Sequence, residues 1–301
     1  MVKKSWSPEN LAEKKIALKA RRSYNNGVPT PFYHLSIAEN LIKHPALQES
    51  LHGLLETHPG PFLLGNTAPD VQVISGQERQ ATHFFKLPIH TESQPPWEAM
   101  LAIHANLANP RLLPGAQAAF IAGYLCHLQA DWIWISEIYL PAFGPNRTWG
   151  TFRNRLYYHN VLRAYLDAQV LPALSPVTPQ RLGDSQPDHW LPFVADQYLR
   201  MWRDYLARQL TPGASIETID VFAARQGISP TEFQELLDSE ERMQQEIFVH
   251  LPRGVLSAYC ERVVEAGAHL LTSYFGQSRR QTINKNSKTL HQPNIIQGGG
   301  H

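Results

Sequence analysis

The sequence predicts an all-α protein, a multi-helix bundle with additional C-terminal helices. Three observations carry that expectation. Apolar residues recur at helical spacing almost throughout, no run of alternating β-branched residues stands out, and no repeat recurs at a fixed period. Ser7-Pro8-Glu9 opens a helix by the serine-cap, proline-first rule, running to about Arg22. Thr30-Pro31 repeats the signal for a helix to about Lys43. A third is expected from Pro45 to Glu56. Residues 59–95 hold Pro59, Gly60, Pro61, Gly65, Pro69, Gly76, Pro88 and Pro95 and are expected to be mostly loop. So long a loop in a compact domain is usually functional. Helices follow at about 96–108, 114–140, 149–172, 188–210, 216–226, 230–247 and 253–275. From Gln277 the chain turns polar and ends in Gly298-Gly-Gly-His301, a tail with too little apolar content to fold.

This divides the chain into a 1–29 N-terminal extension with a helix, a 30–172 core, further helices over 188–276 packed on that core, and a 277–301 tail expected to be disordered. Pro172 to Pro187 is the weakest point between the two helical parts.

The 301 residues are 43% hydrophobic and carry a formal net charge of +1. That gives no electrostatic reason to expect a nucleic-acid scaffold or an anionic membrane as partner. Cys126 and Cys260 cannot make a disulfide framework. No apolar h-region follows Lys3 and Lys4, so no secretory signal is expected. The apolar stretch from Gly115 to Tyr139 is long enough to span a bilayer, but His127, Gln129, Asp131, Ser136 and Glu137 interrupt it. It reads as a buried helix rather than a transmembrane segment, and the expectation is a cytoplasmic, soluble protein. The oligomeric state is not legible.

The strongest local signal is His127 and Asp131. Residues four apart on a helix share a face, and this face also carries Gly123, Tyr124, Leu128, Trp134 and Ile135. An unpaired carboxylate buried there is costly. A divalent metal would satisfy imidazole and carboxylate at once; a bare His–Asp hydrogen bond is the competing reading. His34 shares the inward face of Ile37, Ala38 and Leu41 and is a ligand or a core histidine bonded to a carbonyl. Asp70 ends an Ala-Pro-Asp turn, as a presented carboxylate or in an Asx-turn. His83, between Thr82 and Phe84, is tucked in by aromatic neighbours. Glu137 is an accessory ligand only if its helix bends; otherwise it is solvated or salt-bridged. His159 points inward with Leu162, Leu166 and Val170. Arg155, His159 and Arg163 also form a stripe at spacing four, either a phosphate clamp or a surface row with Arg163 paired to Asp167.

In order along the chain, His34 with Ala38-Glu39, Leu63-Leu-Gly-Asn-Thr-Ala-Pro-Asp70, Thr82-His83-Phe84 and Gly123-Tyr-Leu-Cys-His127-Leu-Gln-Ala-Asp131 resemble the zinc-dependent phospholipase C family, related to S1/P1 nucleases. The resemblance covers roughly residues 30–170 and implies a phospholipase C/P1 nuclease-like helical bundle. It further implies zinc as cofactor. Asp70, His83, His127 and Asp131 would complete one site. Asp131 would bridge to a second ion that His34 helps hold, and Asp70 would act as general base on a metal-bound water. The expected substrate is a phosphodiester or a phospholipid headgroup ester.

Three departures stand out. A long extension precedes His34, where secreted members use a processed N-terminal tryptophan. The family's His-x-x-x-Glu motif is represented only by His159-Asn-Val-Leu-Arg163. Glu137 stands where a further histidine is expected. The ligands for a third zinc are therefore incomplete. The alternative is a non-catalytic helical metal-binding or ligand-binding protein retaining one zinc site. An adjacent His-Asp dipeptide is absent, and no pair of Glu-x-x-His motifs supports a di-iron bundle.

Overall fold

The structure, a computed structural model, describes residues 30–288 except 88, 90–92, 212 and 215, and the side chains only as far as residue 276. The expected first helix and the end of the tail lie outside the described residues. Among the described residues every element is helical, and there is no strand.

The first described helix, α1 (Pro31–Ile42), starts where the sequence says it should. Proline occupies its first turn, and the Thr30 side chain accepts a hydrogen bond from the Tyr33 amide. It is followed by α2 (Glu49–Thr57) and α3 (Pro59–Gly65). The stretch expected to be loop is instead a chain of short helical pieces: α3, a 3₁₀ turn Ala68–Val71, a turn Gln72–Ser75, and α4 (Arg79–His83). Its prolines and glycines are the reason. Pro59 and Pro69 open pieces, where a missing N–H costs nothing, and Gly76 closes one at φ 76° in the left-handed conformation.

Next come α5 (Pro96–Ile103) and the central helix α6 (Gly115–Trp134). Nearly every residue of α6 from Ala118 to Asp131 is buried, as its all-round apolarity requires. It runs directly into a π-helical stretch, Ile135–Phe143, with Pro141 inside it. Then follow α7 (Phe152–Val170), capped by Thr151, then α8 (Thr178–Gly183), α9 (Asp196–Gln209), α10 (Thr218–Gln226) and α11 (Pro230–Asp238). The last helix, α12 (Arg253–Lys288), continues past the end expected near residue 275. Propagation adds one backbone hydrogen bond per residue once a helix is nucleated, so a polar extension needs no apolar face of its own.

Two glycines set the position of the centre. α3 lies against α6 so closely that a Cβ on Gly65 would stand 2.0 Å from the Phe120 carbonyl oxygen, and one on Gly123 2.2 Å from that of Phe62. The backbones touch where no side chain fits, and Asn66 is thereby brought against the turn of α6 that carries His127.

The later helices belong to the same interior. Leu199, Trp202 and Leu206 of α9, and Leu256, Tyr259 and Leu271 of α12, join one buried cluster with Leu35, Phe62, Leu128 and Leu162. The Trp202 indole donates to the Thr67 carbonyl, and the Tyr259 hydroxyl to that of Ala130. They cover the segments that carry His34, Asp70, His83, His127 and Asp131. Among the described residues no helix is long and apolar enough to cross a membrane.

Candidate metal centre

Four segments deliver five side chains to one point: His34 from α1, Asp70 from the 3₁₀ turn, His83 from α4, and His127 and Asp131 from α6. Each is at most 1% exposed. Asp131 lies between the histidines. His34 Nε2 is 3.3 Å from its Oδ1, while His83 Nε2 and His127 Nε2 are 3.5 and 3.6 Å from its Oδ2. His83 Nε2 is also 3.5 Å from Asp70 Oδ1. The His34 and His127 rings stack with centroids 3.8 Å apart.

These are approaches, not hydrogen bonds. His34 Nδ1 and Nε2, His83 Nε2, His127 Nε2, Asp70 Oδ2 and Asp131 Oδ1 are buried without a hydrogen-bond partner. Buried polar atoms are normally satisfied, so six orphans in one spot call for an explanation. A bare His127–Asp131 hydrogen bond does not supply it, since 3.6 Å is too long.

The outer nitrogens show why the inner ones are bare. His127 Nδ1 is 2.7 Å from the Asn66 carbonyl oxygen. A carbonyl only accepts, so Nδ1 carries a proton and the neutral ring keeps its lone pair on Nε2. The Thr82 hydroxyl donates to the Arg79 carbonyl at 3.1 Å, leaving its oxygen to accept from His83 Nδ1 at 3.0 Å. His83 Nε2 is then also a lone pair facing the centre. The Tyr124 hydroxyl fixes this turn by donating to the Thr82 carbonyl at 2.6 Å. Orientation of an imidazole through its outer N–H is the usual support of a metal-ligating histidine.

Electrostatics agree with ligand chemistry. Burial pulls His34 and His83 down, His83 to about 4 with the neighbouring Arg79 charge adding to the effect, so both imidazoles are neutral. Burial opposes the charge on Asp70 and Asp131. The neighbouring histidines outweigh it for both, with Arg79 adding to the effect at Asp131, and hold both carboxyls below the usual range. For His127, burial is overcome by Asp131 and Asp70, which raise it. Three imidazoles, two of them neutral, and two carboxylates, buried and short of hydrogen-bond donors, form a set that fits a divalent cation such as zinc. Two overlapping groups emerge, His34–His127–Asp131 and Asp70–His83–His127, each with ligand atoms within 4.8 Å of one another.

Glu137 and His159 are not brought to this point, which corrects two expected ligands. Glu137 lies in the π-helical stretch and pairs with Arg262 at 2.7 Å, the salt-bridged reading of that residue. His159 is buried among Trp134, Tyr139 and Phe143, and its Nε2 accepts from the Trp134 indole at 3.0 Å. That bond uses the lone pair a metal would need. The stripe around His159 is neither a surface row nor an open phosphate clamp, because Arg155 and Arg163 are buried too. Arg155 donates to the carbonyls of Trp149, Gly150 and Pro145, and Arg163 stacks over Phe222.

Arg79 is the residue sequence reasoning missed. Its Nη2 lies 2.6 Å from Asp131 Oδ2, and its guanidinium sits over the Phe85 ring at 4.6 Å. It is four residues before His83 on α4, the spacing of one helix face. That spacing carried no meaning while the segment read as loop.

A family model described as zinc dependent phospholipase C matches residues 33–165, a stretch that takes in all five ligand candidates and a little under half of the chain. Residues 33–165 belong to the zinc-dependent phospholipase C family. No curated protein and no solved structure matches the chain. The phospholipase C segment spans α1 to most of α7, and at family level it is the domain of a zinc-dependent phosphoesterase. The all-α architecture is the one the family implies.

Proposed function

We propose that this protein hydrolyses a phosphodiester or a phospholipid headgroup ester with zinc held by His34, Asp70, His83, His127 and Asp131. The observation that carries the reading is the convergence of buried, partnerless lone pairs from four segments. Asp70, His83, His127 and Asp131 would hold one ion. Asp131 presents its other oxygen to His34, which supports a second. Zinc bound there supplies positive charge to a phosphate and acidifies water near neutral pH. Asp70 is the base. Its Oδ2 lacks a hydrogen-bond partner, and its neighbours keep it ionised and able to take a proton. Asn66 and Thr82 hold two imidazoles in their working tautomers, and the enclosing helices exclude bulk water.

The test is elemental analysis of the purified chain together with turnover on phospholipid, dinucleotide and aryl phosphodiester substrates. Full zinc with no turnover on any of them would sink the hydrolytic reading. One observation favours a second reading, a zinc-binding protein that does not hydrolyse: the ligands are fully buried, and structural zinc sites are closed. His127→Ala separates the two. A structural site loses its fold with the metal, whereas a catalytic site loses metal and activity with the fold retained.

A further inference from the structure

We propose that Arg79 is the anion-binding arm of the centre. Its guanidinium holds Asp131 in the resting protein and exchanges that carboxylate for a phosphate oxygen of the substrate. This rests on the phosphoesterase reading above.

Position is the first argument. The five ligand candidates are at most 1% exposed, while the Arg79 side chain is 13% exposed. Among the described residues Arg79 is therefore the charged group in contact with the cluster that also reaches solvent, the side from which an anion must come. The second argument is competition. Arg79 Nη2 addresses Asp131 Oδ2 at 2.6 Å, the same oxygen that faces His83 and His127. When that oxygen serves a divalent cation, the guanidinium shares its lone pairs with a like charge, and its hold on Asp131 weakens. An arriving phosphate then offers Arg79 a better anion.

The third argument is the chemistry of the group. A guanidinium is a planar fork whose geometry matches two phosphate oxygens, and it stays charged at any working pH. The Phe85 ring beneath it, itself set edge-on to Trp132 at 5.7 Å, supports the guanidinium beside the cluster. A merely structural arginine would need only its contact with Asp131.

The experiment titrates inorganic phosphate into the zinc-loaded full-length chain by calorimetry at fixed ionic strength, for wild type, Arg79→Lys and Arg79→Gln. Zinc equivalents and melting temperature are measured on each. We expect zinc content to stay at the wild-type value in all three. Phosphate affinity should fall tenfold or more in Arg79→Gln and by a smaller factor in Arg79→Lys, which keeps the charge and loses the fork. Wild-type phosphate affinity in Arg79→Gln overturns the proposal. So does loss of zinc in both variants, which would make Arg79 a structural partner of Asp131. If Arg79→Gln fails to fold, wild-type phosphate affinity in Arg79→Lys overturns it. Arg79-dependent phosphate binding without turnover leaves Arg79 as an anion arm and removes the hydrolytic reading; turnover with Arg79-independent binding does the reverse.

Discussion

His83 shows how much of the centre is set by atoms that would never touch a metal. Its Nδ1 bonds to the Thr82 hydroxyl, whose own proton is committed to the Arg79 carbonyl. Thr82→Val keeps the shape and removes the acceptor. The imidazole then loses both its fixed tautomer and its orientation. Support of this kind is worth about 10–100-fold in metal affinity, so Thr82→Val should bind zinc weaker by that factor, read by competition with a chromogenic chelator; an unchanged affinity would show that Thr82 plays no part. His127→Ala removes a lone pair common to both ligand groups. It should take the zinc content close to zero equivalents per chain while the far-ultraviolet circular dichroism stays that of a helical protein.

The contact between α3 and α6 is the element on which the centre depends. Gly65 and Gly123 let the two backbones meet, and the same contact lays the Asn66 carbonyl against His127 Nδ1. Gly123→Ala places a methyl where the nearest atom is backbone, at 2.2 Å. The helices must part. The expected loss is about 1–3 kcal/mol in urea unfolding, the usual range for overpacking, with weakened zinc binding alongside it. A variant as stable as wild type, binding zinc as tightly, would contradict this account.

The α7 helix carries a buried carboxylate outside the centre. Asp167 accepts from the Thr30 hydroxyl at the start of α1 and, at 2.8 Å, from that of Thr218 at the start of α10. Burial pushes it up to about 7, against the pull of those bonds and of Arg163. The sign follows from proton counts. Between about pH 4 and 7 the folded protein holds a proton on Asp167 that the unfolded chain has released, so this contribution to stability falls as pH rises. It is complete below the ordinary carboxylate value and lost as pH passes 7. Asp167→Asn should flatten the stability profile in that window by an amount on the order of a few kcal/mol, read by denaturant unfolding at several pH values. A profile that keeps its wild-type slope would assign the dependence elsewhere.

Across the whole molecule the centre is also a staple. Its ligand candidates come from α1, the 3₁₀ turn, α4 and α6, which the chain brings together only when folded. An ion that binds the folded state and not the unfolded one stabilises by mass action. Chelation should therefore lower the melting temperature by several degrees, and zinc should restore it. Equal melting with and without chelator would mean that the five residues hold no metal.

Which parts were legible follows from the same physics. Helix type, the start of α1, and the inward face of α6 are local properties, fixed by spacing, a threonine cap and a proline at the first turn. The pair His127 and Asp131 was legible because four-residue spacing on one helix guarantees a shared face. His34, Asp70 and His83 were readable as polar residues in apolar surroundings, and became a set only through the order of motifs. The run from Pro59 to His83 is helical pieces rather than loop because proline and glycine mark the ends of short helices as well as loops, while the described residues from Phe84 to Pro95 are non-helical as expected. The expectation of a loop hid Arg79, whose relation to His83 exists only on a helix. His159 was misjudged for another reason. Its inward direction is a local fact, but its partner, the Trp134 indole, comes from a different helix.

Sequence alone thus determined that the chain is helical, that two of its ligand candidates share a face, and that one buried helix must satisfy a carboxylate. Tertiary structure decided the rest: which histidines meet Asp131, that Glu137 turns to Arg262, and that Arg79 pairs with Asp131. Helical periodicity is set by residues a turn apart, whereas a buried charge is satisfied by whatever the fold packs against it, and Thr30 stands 137 positions from Asp167.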